Sequence, residues 1–430
     1  MIYFQSGSES AELSSGDLRD GLFETLSALG ARRRVLAVPP DFTRFDSRAG
    51  ELTVLAWEYY KERLVDILPA IGTHAPMTGA ETAEMFPGVP PSLFRVHDWR
   101  RDAITVGTVP GAYVAELTEG AAHLDWHAQL NKLLFLGGHD LILSMGQVLP
   151  HEVMGMAGYN KNLFIGTGGA DSINQSHFIS ASYGMERLMG RADNPLRSML
   201  NYASRHFIPH LPVVYALTVI GRGDNGGLKT RGLFIGDDED VFVRAAELSL
   251  RVNVTFVEEP LERVVAYLDP AKFKSTWIGN KAIYRTRMAM ADGGELIVLA
   301  PGVSRFGEDP ELDALIRKYG YHGTAVTLRA VAENEDLSRN MSAAAHLIHG
   351  SSEGRFTVTY CPGKLARREV EAVGFGYEEL GDAMRKYDPE ALKEGWNVLP
   401  SGERVYFISK PALGLWAGEG GCLDPRYMAQ

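Results

Sequence analysis

Three histidines, an aspartate, an arginine and a lysine stand out for where they fall in the chain. Asp41 and Arg44 lie in VPPDFTR at Val38–Arg44, and His74 lies in IGTHAPM at Ile71–Met77. His151 and Lys161 lie in LPHEVMGMAGYNK at Leu149–Lys161, and His177 follows. Neutral imidazole is well matched to proton transfer near pH 7. Arginine can grip a carboxylate through two parallel hydrogen bonds. Two imidazoles on one rim suit a reaction that takes protons from two faces. The residues alone therefore point to two-base chemistry on a small carboxylate. Asp41 could orient an imidazole, a cofactor hydroxyl or Arg44 itself. Lys161 sits among small residues, where a ligand could approach closely and even bond covalently; a solvated lysine is the plainer reading. His177 by itself is a poor metal site, because protein sites need three or four ligands. It makes sense as a ligand only where a cofactor supplies the other donors.

Each of these loops begins where a short apolar run ends. VLAV at Val35–Val38 leads into Asp41, LVDILPAI at Leu64–Ile71 into His74, and LILSM at Leu141–Met145 into His151. Such runs, ending in Gly, Pro and polar residues, predict buried strands of an α/β sheet. Ligands of such sheets bind outside the carboxyl ends of the strands. Gly16–Leu29 reads as a helix, and Thr78 with Glu81 forms a capping box for another. PVVYALTVI and KTRGLFIGD around GRGDNGG read as a hairpin. EPLERVVAYLDPAKFKS reads as a helix and hinge, after which the α/β rhythm restarts near Lys281. The expectation is two α/β domains with the active site in the cleft between them. Residues 11–262 form the catalytic domain and 263–399 the capping domain, and the stretch from about 400 to 430 is free to pack back on the first.

Composition narrows the function classes. A net charge of −11 argues against nucleic acid or an anionic membrane as the partner. No apolar run approaches the roughly 20 residues of a membrane span. Two cysteines, Cys361 and Cys422, fit a reducing cytoplasm. The opening MIYFQSGSES reads as a protease-site and linker remnant. Gly221-x-Gly223-x-x-Gly226 matches a dinucleotide fingerprint, but a strand-like run follows it where a helix is required. Arg222-Gly223-Asp224 carries no meaning in a cytosolic chain. His123 and His127 could share a helical face as a zinc site does, yet HLDWH lacks the metalloprotease glutamate. The pairs His206/His210 and His346/His349 share that weakness, and Pro212 follows closely on the former.

The order and spacing of the first set resemble the nickel-dependent lactate racemase family, within a superfamily of 2-hydroxyacid racemases and epimerases. The resemblance rests on Asp41-Phe42-Thr43-Arg44, Gly72-Thr73-His74 and Pro150-His151-Glu152, with Lys161 ten residues after His151 and His177 sixteen after Lys161. It implies a nickel pincer nucleotide (pyridinium-3-thioamide-5-thiocarboxylic acid mononucleotide nickel) attached at Lys161 as a thioamide. His177 would be the protein's nickel ligand, and His74 and His151 the acid/base pair. Arg44 would hold the substrate carboxylate. Asp41, Gly158 and Tyr284 would line the cofactor, and Arg285 and Asn280 would join Arg44 at the substrate. The implied reaction inverts C2 of a 2-hydroxy acid by passing the α-hydride to the cofactor and back. Pincer-synthesis enzymes are the implied maturation partners.

Two departures bear on the substrate. The family's glycine pair before the lysine is reduced to Gly158-Tyr159-Asn160, and the second-domain Tyr-Gln-x-x-Lys motif becomes Tyr284-Arg285-Thr286-Arg287-Met288. No tryptophan lies near Arg339–His349, where the family has one. Extra donors at Asn280, Arg285, Arg287 and Asn340 favour a sugar acid such as gluconate ahead of lactate, malate or 2-hydroxyglutarate, unless the arginines are solvated. Two other classes stay open: a zinc-dependent hydrolase built on His123 and His127, and a non-catalytic hydroxyacid-binding protein.

Overall fold

The computed structural model describes residues 1–223 and 227–419. Asp224 and Gly226 of the GRGDNGG turn, and Cys422, lie outside the described residues. Two compact units divide the chain: Met1–Ile179 with Arg187–Asn253, and Ser180–Glu186 with the chain from Val254 onward. The main division thus falls at Asn253/Val254, where the sequence reading put it at 262.

The first unit carries β1 (Ile2–Gly7), β2 (Val35–Val38), β3 (Leu64–Ile67), β4 (Ala103–Val109), β5 (Trp126–Asn131), β6 (Leu141–Gln147), β7 (Pro150–His151), β8 (Gly155–Met156), β9 (Val213–Arg222) and β10 (Leu228–Gly236). Six of them form one sheet in the order β1-β10-β9-β6-β2-β3. The four strands β9, β6, β2 and β3 run parallel. β2 is buried along its whole length, as expected of a parallel strand covered on both faces. Helices Ser15–Ala28 and Ala49–Tyr60 supply the cover: Leu18, Leu22, Leu26, Leu52 and Ala56 pack with Val35, Ala37, Leu141 and Leu143. The Thr78–Glu81 capping box is present, with Glu81 N donating to Thr78 Oγ1 at 3.2 Å and Thr78 N to Glu81 Oε2 at 2.7 Å.

The opening residues, read from the sequence as a linker remnant, form a strand of the sheet. β1 pairs antiparallel with β10, Phe4 opposite Ile235 and Ser6 opposite Leu233. The Phe4 ring lies over Gly21, where an added Cβ would come within 2.6 Å of it. Ile2 and Phe4 alternate with more polar neighbours, the period-two pattern of an edge strand, and that pattern outweighs the resemblance to a linker.

The second unit carries β11 (Val254–Val257), β12 (Leu261–Tyr267), β13 (Met290–Ala300), β14 (Thr357–Pro362), β15 (Gly376–Tyr377), β16 (Gly395–Val398), β17 (Arg404–Ile408) and β18 (Leu415–Gly418). Its sheet has the order β15-β14-β13-β12-β17-β16. The segment read as a helix is β12, a central strand between β13 and β17. Its apolar run is buried, and a short buried run does not tell helix from strand by periodicity. Residues 401–419 stay within this unit, β17 in its sheet and β18 parallel to β11. Among the described residues no helix is long and apolar enough to cross a membrane.

Candidate active site

β3, β2 and β6 lie side by side and parallel, so the loops after all three open on one rim. The chain steps from β2 to β3 on one side, then returns to β6 on the other. That reversal makes the crevice above β2 the expected ligand position.

Asp41, just past β2, caps the 3-10 turn Phe42–Ser47 and is 4% exposed. Thr43 donates to Oδ1 through its amide and its hydroxyl, while Oδ2 lies 2.6 Å from His74 Nδ1. Burial would raise the Asp41 pKa, but the bond and charge of His74, aided by Thr43, hold it below the ordinary value. The carboxylate therefore keeps the His74 proton on Nδ1 and leaves a lone pair on Nε2. Because the folded carboxyl titrates lower than the unfolded one, its stabilising contribution is full above about pH 4 and vanishes as pH falls through the folded value. Asp41→Asn should flatten that acid-side loss of stability; urea unfolding followed across the acid range would show an unchanged slope if the pairing were unimportant. Arg44 is half-exposed, and its guanidinium makes no hydrogen bond or ion pair among the described residues.

His151 differs from His74. It lies on β7, which pairs with β8 in a tight hairpin, and its Nδ1 faces the amides of Val153 at 3.1 Å and Met154 at 3.4 Å. Nδ1 is thus an acceptor, and the neutral ring carries its proton on Nε2. His74 thus offers an acceptor at Nε2 and His151 a donor at Nε2.

Lys161 opens the short helix Lys161–Phe164. Gly158 and Tyr159 precede it in the left-handed region, with φ of 85° and 58°. Tyr159 adopts there a backbone that glycine would take freely. Its ring is held against Phe242, with centroids 5.4 Å apart, and against Tyr215 at 4.3 Å. Asn162 ties the turn to the sheet, donating to Val38 O at 2.9 Å and Ser144 Oγ at 3.2 Å. Gly72 N, from the His74 loop, donates to Gly166 O at 2.8 Å. Burial lowers the Lys161 pKa to about 8, and Arg44 and Arg197 push it the same way against Glu152 and Asp41. An amine so shifted is uncharged about one time in ten at pH 7, far more often than a solvated lysine, as a nucleophile requires.

His177 lies on helix Ala170–Tyr183, and its Nδ1 is 2.6 Å from Ile173 O. That contact places the ring proton on Nδ1 and leaves Nε2 as a ligand atom, the usual support for a metal-bound histidine. Burial, and then the charge of Lys161, lower its pKa against the pull of Ile173 O and Glu152. Asp41, Arg44, Lys161 and His177 thus share one electrostatic environment with Glu152.

The remaining expected site residues belong to the second unit. Tyr284 Oη is 2.9 Å from His346 Nδ1, and Asn280 is fully buried with its carbonyl accepting from Tyr360 Oη at 2.7 Å. Arg285 and Arg287 are each 4% exposed, so neither is a solvated helix residue. Arg287 donates to Glu186 at 2.9 Å, and Asn340 caps helix Met341–His349 while reaching Glu311. Trp277, outside any motif read from the sequence, stacks on His346 at 4.2 Å.

The zinc pair does not form as expected. His127 lies on β5 beside Thr108 Oγ1, and His123 lies in the preceding loop, so no helix aligns them. Among the described residues no group of three or more His, Cys, Asp and Glu side chains is arranged to hold a metal. Asn162 and Arg197 are the important residues that sequence reasoning missed; an ordinary polar side chain carries no signal until its partners are known.

Ionisable side chains gathered outside the carboxyl ends of parallel strands define an α/β protein with its site at the strand-order reversal. Residues 23–187 match the family model of the lactate racemase N-terminal domain. It is similar to a Thermotoga maritima protein of known crystal structure, with 25% identity and a TM-score of 0.77 over 97% of this chain and 100% of that one. It also shares its fold with the lactate racemase apoprotein from Thermoanaerobacterium thermosaccharolyticum, at 17% identity and a TM-score of 0.70 over 94% of this chain and 93% of that one. No curated protein matches the chain.

Proposed function

We propose that this protein is a cytoplasmic racemase or epimerase acting at C2 of a 2-hydroxy acid with a nickel pincer nucleotide. The observation that carries the reading is the complementary pair: His74, keyed by Asp41 as an acceptor, and His151, keyed by two backbone amides as a donor.

The residues fit the cofactor. Lys161 has the depressed amine needed for a thioamide link, and His177 presents Nε2 for nickel. When bound, the group supplies the acceptor and donor of the α-hydride. His74 takes the hydroxyl proton as general base, while the Nε2 proton of His151 stabilises charge developing on the oxygen. Arg44, with no competing partner among the described residues, grips the carboxylate so that the planar keto acid turns without leaving. For His151 to act as base in its turn, Nδ1 must take up a proton and give up the amides of Val153 and Met154.

The substrate is a small 2-hydroxy acid. Arg287 and Asn340, two of the donors that suggested gluconate, are engaged within the second unit, so lactate, malate and 2-hydroxyglutarate join gluconate as first candidates. The test uses protein co-expressed with pincer-synthesis enzymes and single enantiomers or epimers of these acids, followed by chiral chromatography. Interconversion of one of them, with bound nickel, is expected. Tight binding without stereochemical exchange by the nickel-loaded protein would establish a hydroxyacid-binding protein instead.

A further inference from the structure

Helix Pro195–Phe207 turns a polar stripe inward. Asn194 at its N-cap, then Arg197, Asn201 and Ser204, follow one another at the spacing of a single helical face. All four meet the segment Met154–Asn160 that leads to Lys161. Asn194 Nδ2 donates to Met154 O at 3.2 Å, and Arg197 Nη2 to Met156 O at 2.8 Å. Arg197 Nη1 reaches Gly158 O at 3.5 Å and also Asn160 Oδ1. Asn160 Nδ2 donates in turn to Asn201 Oδ1 at 2.7 Å and Ser204 Oγ at 3.1 Å.

Arg197 is the unusual member. It is 1% exposed, its guanidinium lies 4.1 Å from the centre of the Phe242 ring, and it forms no ion pair with a carboxylate among the described residues. Its Nε has no hydrogen-bond partner among them. Tyr159, Glu239 and Tyr215 act favourably on its charge, but no carboxylate among the described residues is in ion-pair contact, and burying a cation in this way is costly. Hydrophobic packing alone would be served better by leucine or methionine. The partners it does have are the carbonyl oxygens and the amide of one loop.

We propose that Arg197 is a positioning residue that clamps the Met156–Asn160 loop and thereby presents Lys161 as a reactive amine. The clamp holds Gly158 and Tyr159 in their left-handed conformations, and its charge opposes protonation of Lys161. The other charged groups acting on that amine are Arg44, Glu152 and Asp41, and the charge on Lys161 acts in turn on His177. This inference deepens the proposed function, since Lys161 is the attachment point there, but its test needs no cofactor.

The test is competitive acetylation of the cofactor-free full chain with trace acetic anhydride across a pH series. Peptide mass spectrometry reads Lys161 against the exposed lysines Lys132 and Lys318 in the same sample. In the wild type, Lys161 should titrate well below the reference lysines. Arg197→Gln should displace its midpoint upward and slow its labelling by about tenfold near neutral pH, the ratio set by one pH unit in the amine equilibrium. Arg197→Lys, which keeps a cation but loses the two-pronged contact, should fall between. If the Gln variant does not fold by circular dichroism, Asn160→Ala removes one arm of the same clamp and is read in the same way. A Lys161 midpoint and rate within twofold of wild type in a folded variant overturns the proposal. Failure of the cofactor reading would appear elsewhere, as absent nickel and adduct on protein whose Lys161 is still hyper-reactive.

Discussion

Lys161→Ala protein, made alongside pincer-synthesis enzymes, should purify at its bare polypeptide mass, while the wild type carries a heavy adduct mapping to Lys161. The expected loss is complete, because the predicted link is covalent and specific to Lys161, whereas Lys132 and Lys318 are more than half exposed and ion-paired. Burial disfavours the ammonium form, and Arg44 adds to that effect. A lysine held this way reacts near neutral pH, whereas a solvated one is almost wholly protonated. Nickel should be lost in the same variant, since His177 alone cannot retain it. His177→Ala should show the opposite pattern, an adduct retained with nickel weakly held. An unchanged adduct in the Lys161 variant would sink the assignment of the attachment residue.

The second large effect is expected at His74. Replacing it with alanine should lower the interconversion rate by about 10²–10⁴-fold, the usual contribution of a positioned general base. Cofactor loading should stay intact. Asp41→Asn should reproduce part of the loss without removing the imidazole, because the carboxylate that keeps the proton on Nδ1 would become an amide able to donate to it. Steady-state rates measured with each enantiomer separately would check both variants. Equal activity of His74→Ala and wild type in both directions would remove His74 from the reaction. His151→Ala should be less symmetric between the two directions, since its ring presents a proton where His74 presents a lone pair.

Much of this site is legible in the primary structure. Asp41, Arg44, His74 and His151 each follow an apolar run, and those runs are β2, β3 and β6, adjacent in one parallel sheet. Local pattern suffices here, because a strand buried on both faces is apolar throughout and must end where polar residues begin. The Thr78–Glu81 cap and the β9–β10 hairpin are readable for the same reason: their partners lie within a few residues.

Other features depend on partners far away in the chain. β1 is identified as a strand by its pairing with β10, more than two hundred residues on, and β12 is a strand because β13 and β17 flank it. Arg285 and Arg287 look like solvated helix residues until the packing of the second unit buries them. Arg197 is one arginine among many until its guanidinium is seen against the carbonyls of Met156 and Gly158. The sequence by itself determined which residues could do chemistry and that three strand ends would carry them, since both follow from residue type and short-range pattern. Only the tertiary structure decided the protonation roles of His74 and His151, the depressed amine of Lys161 and the clamp beneath it. Those properties are set by hydrogen bonds and desolvation, which exist only once distant segments are packed together.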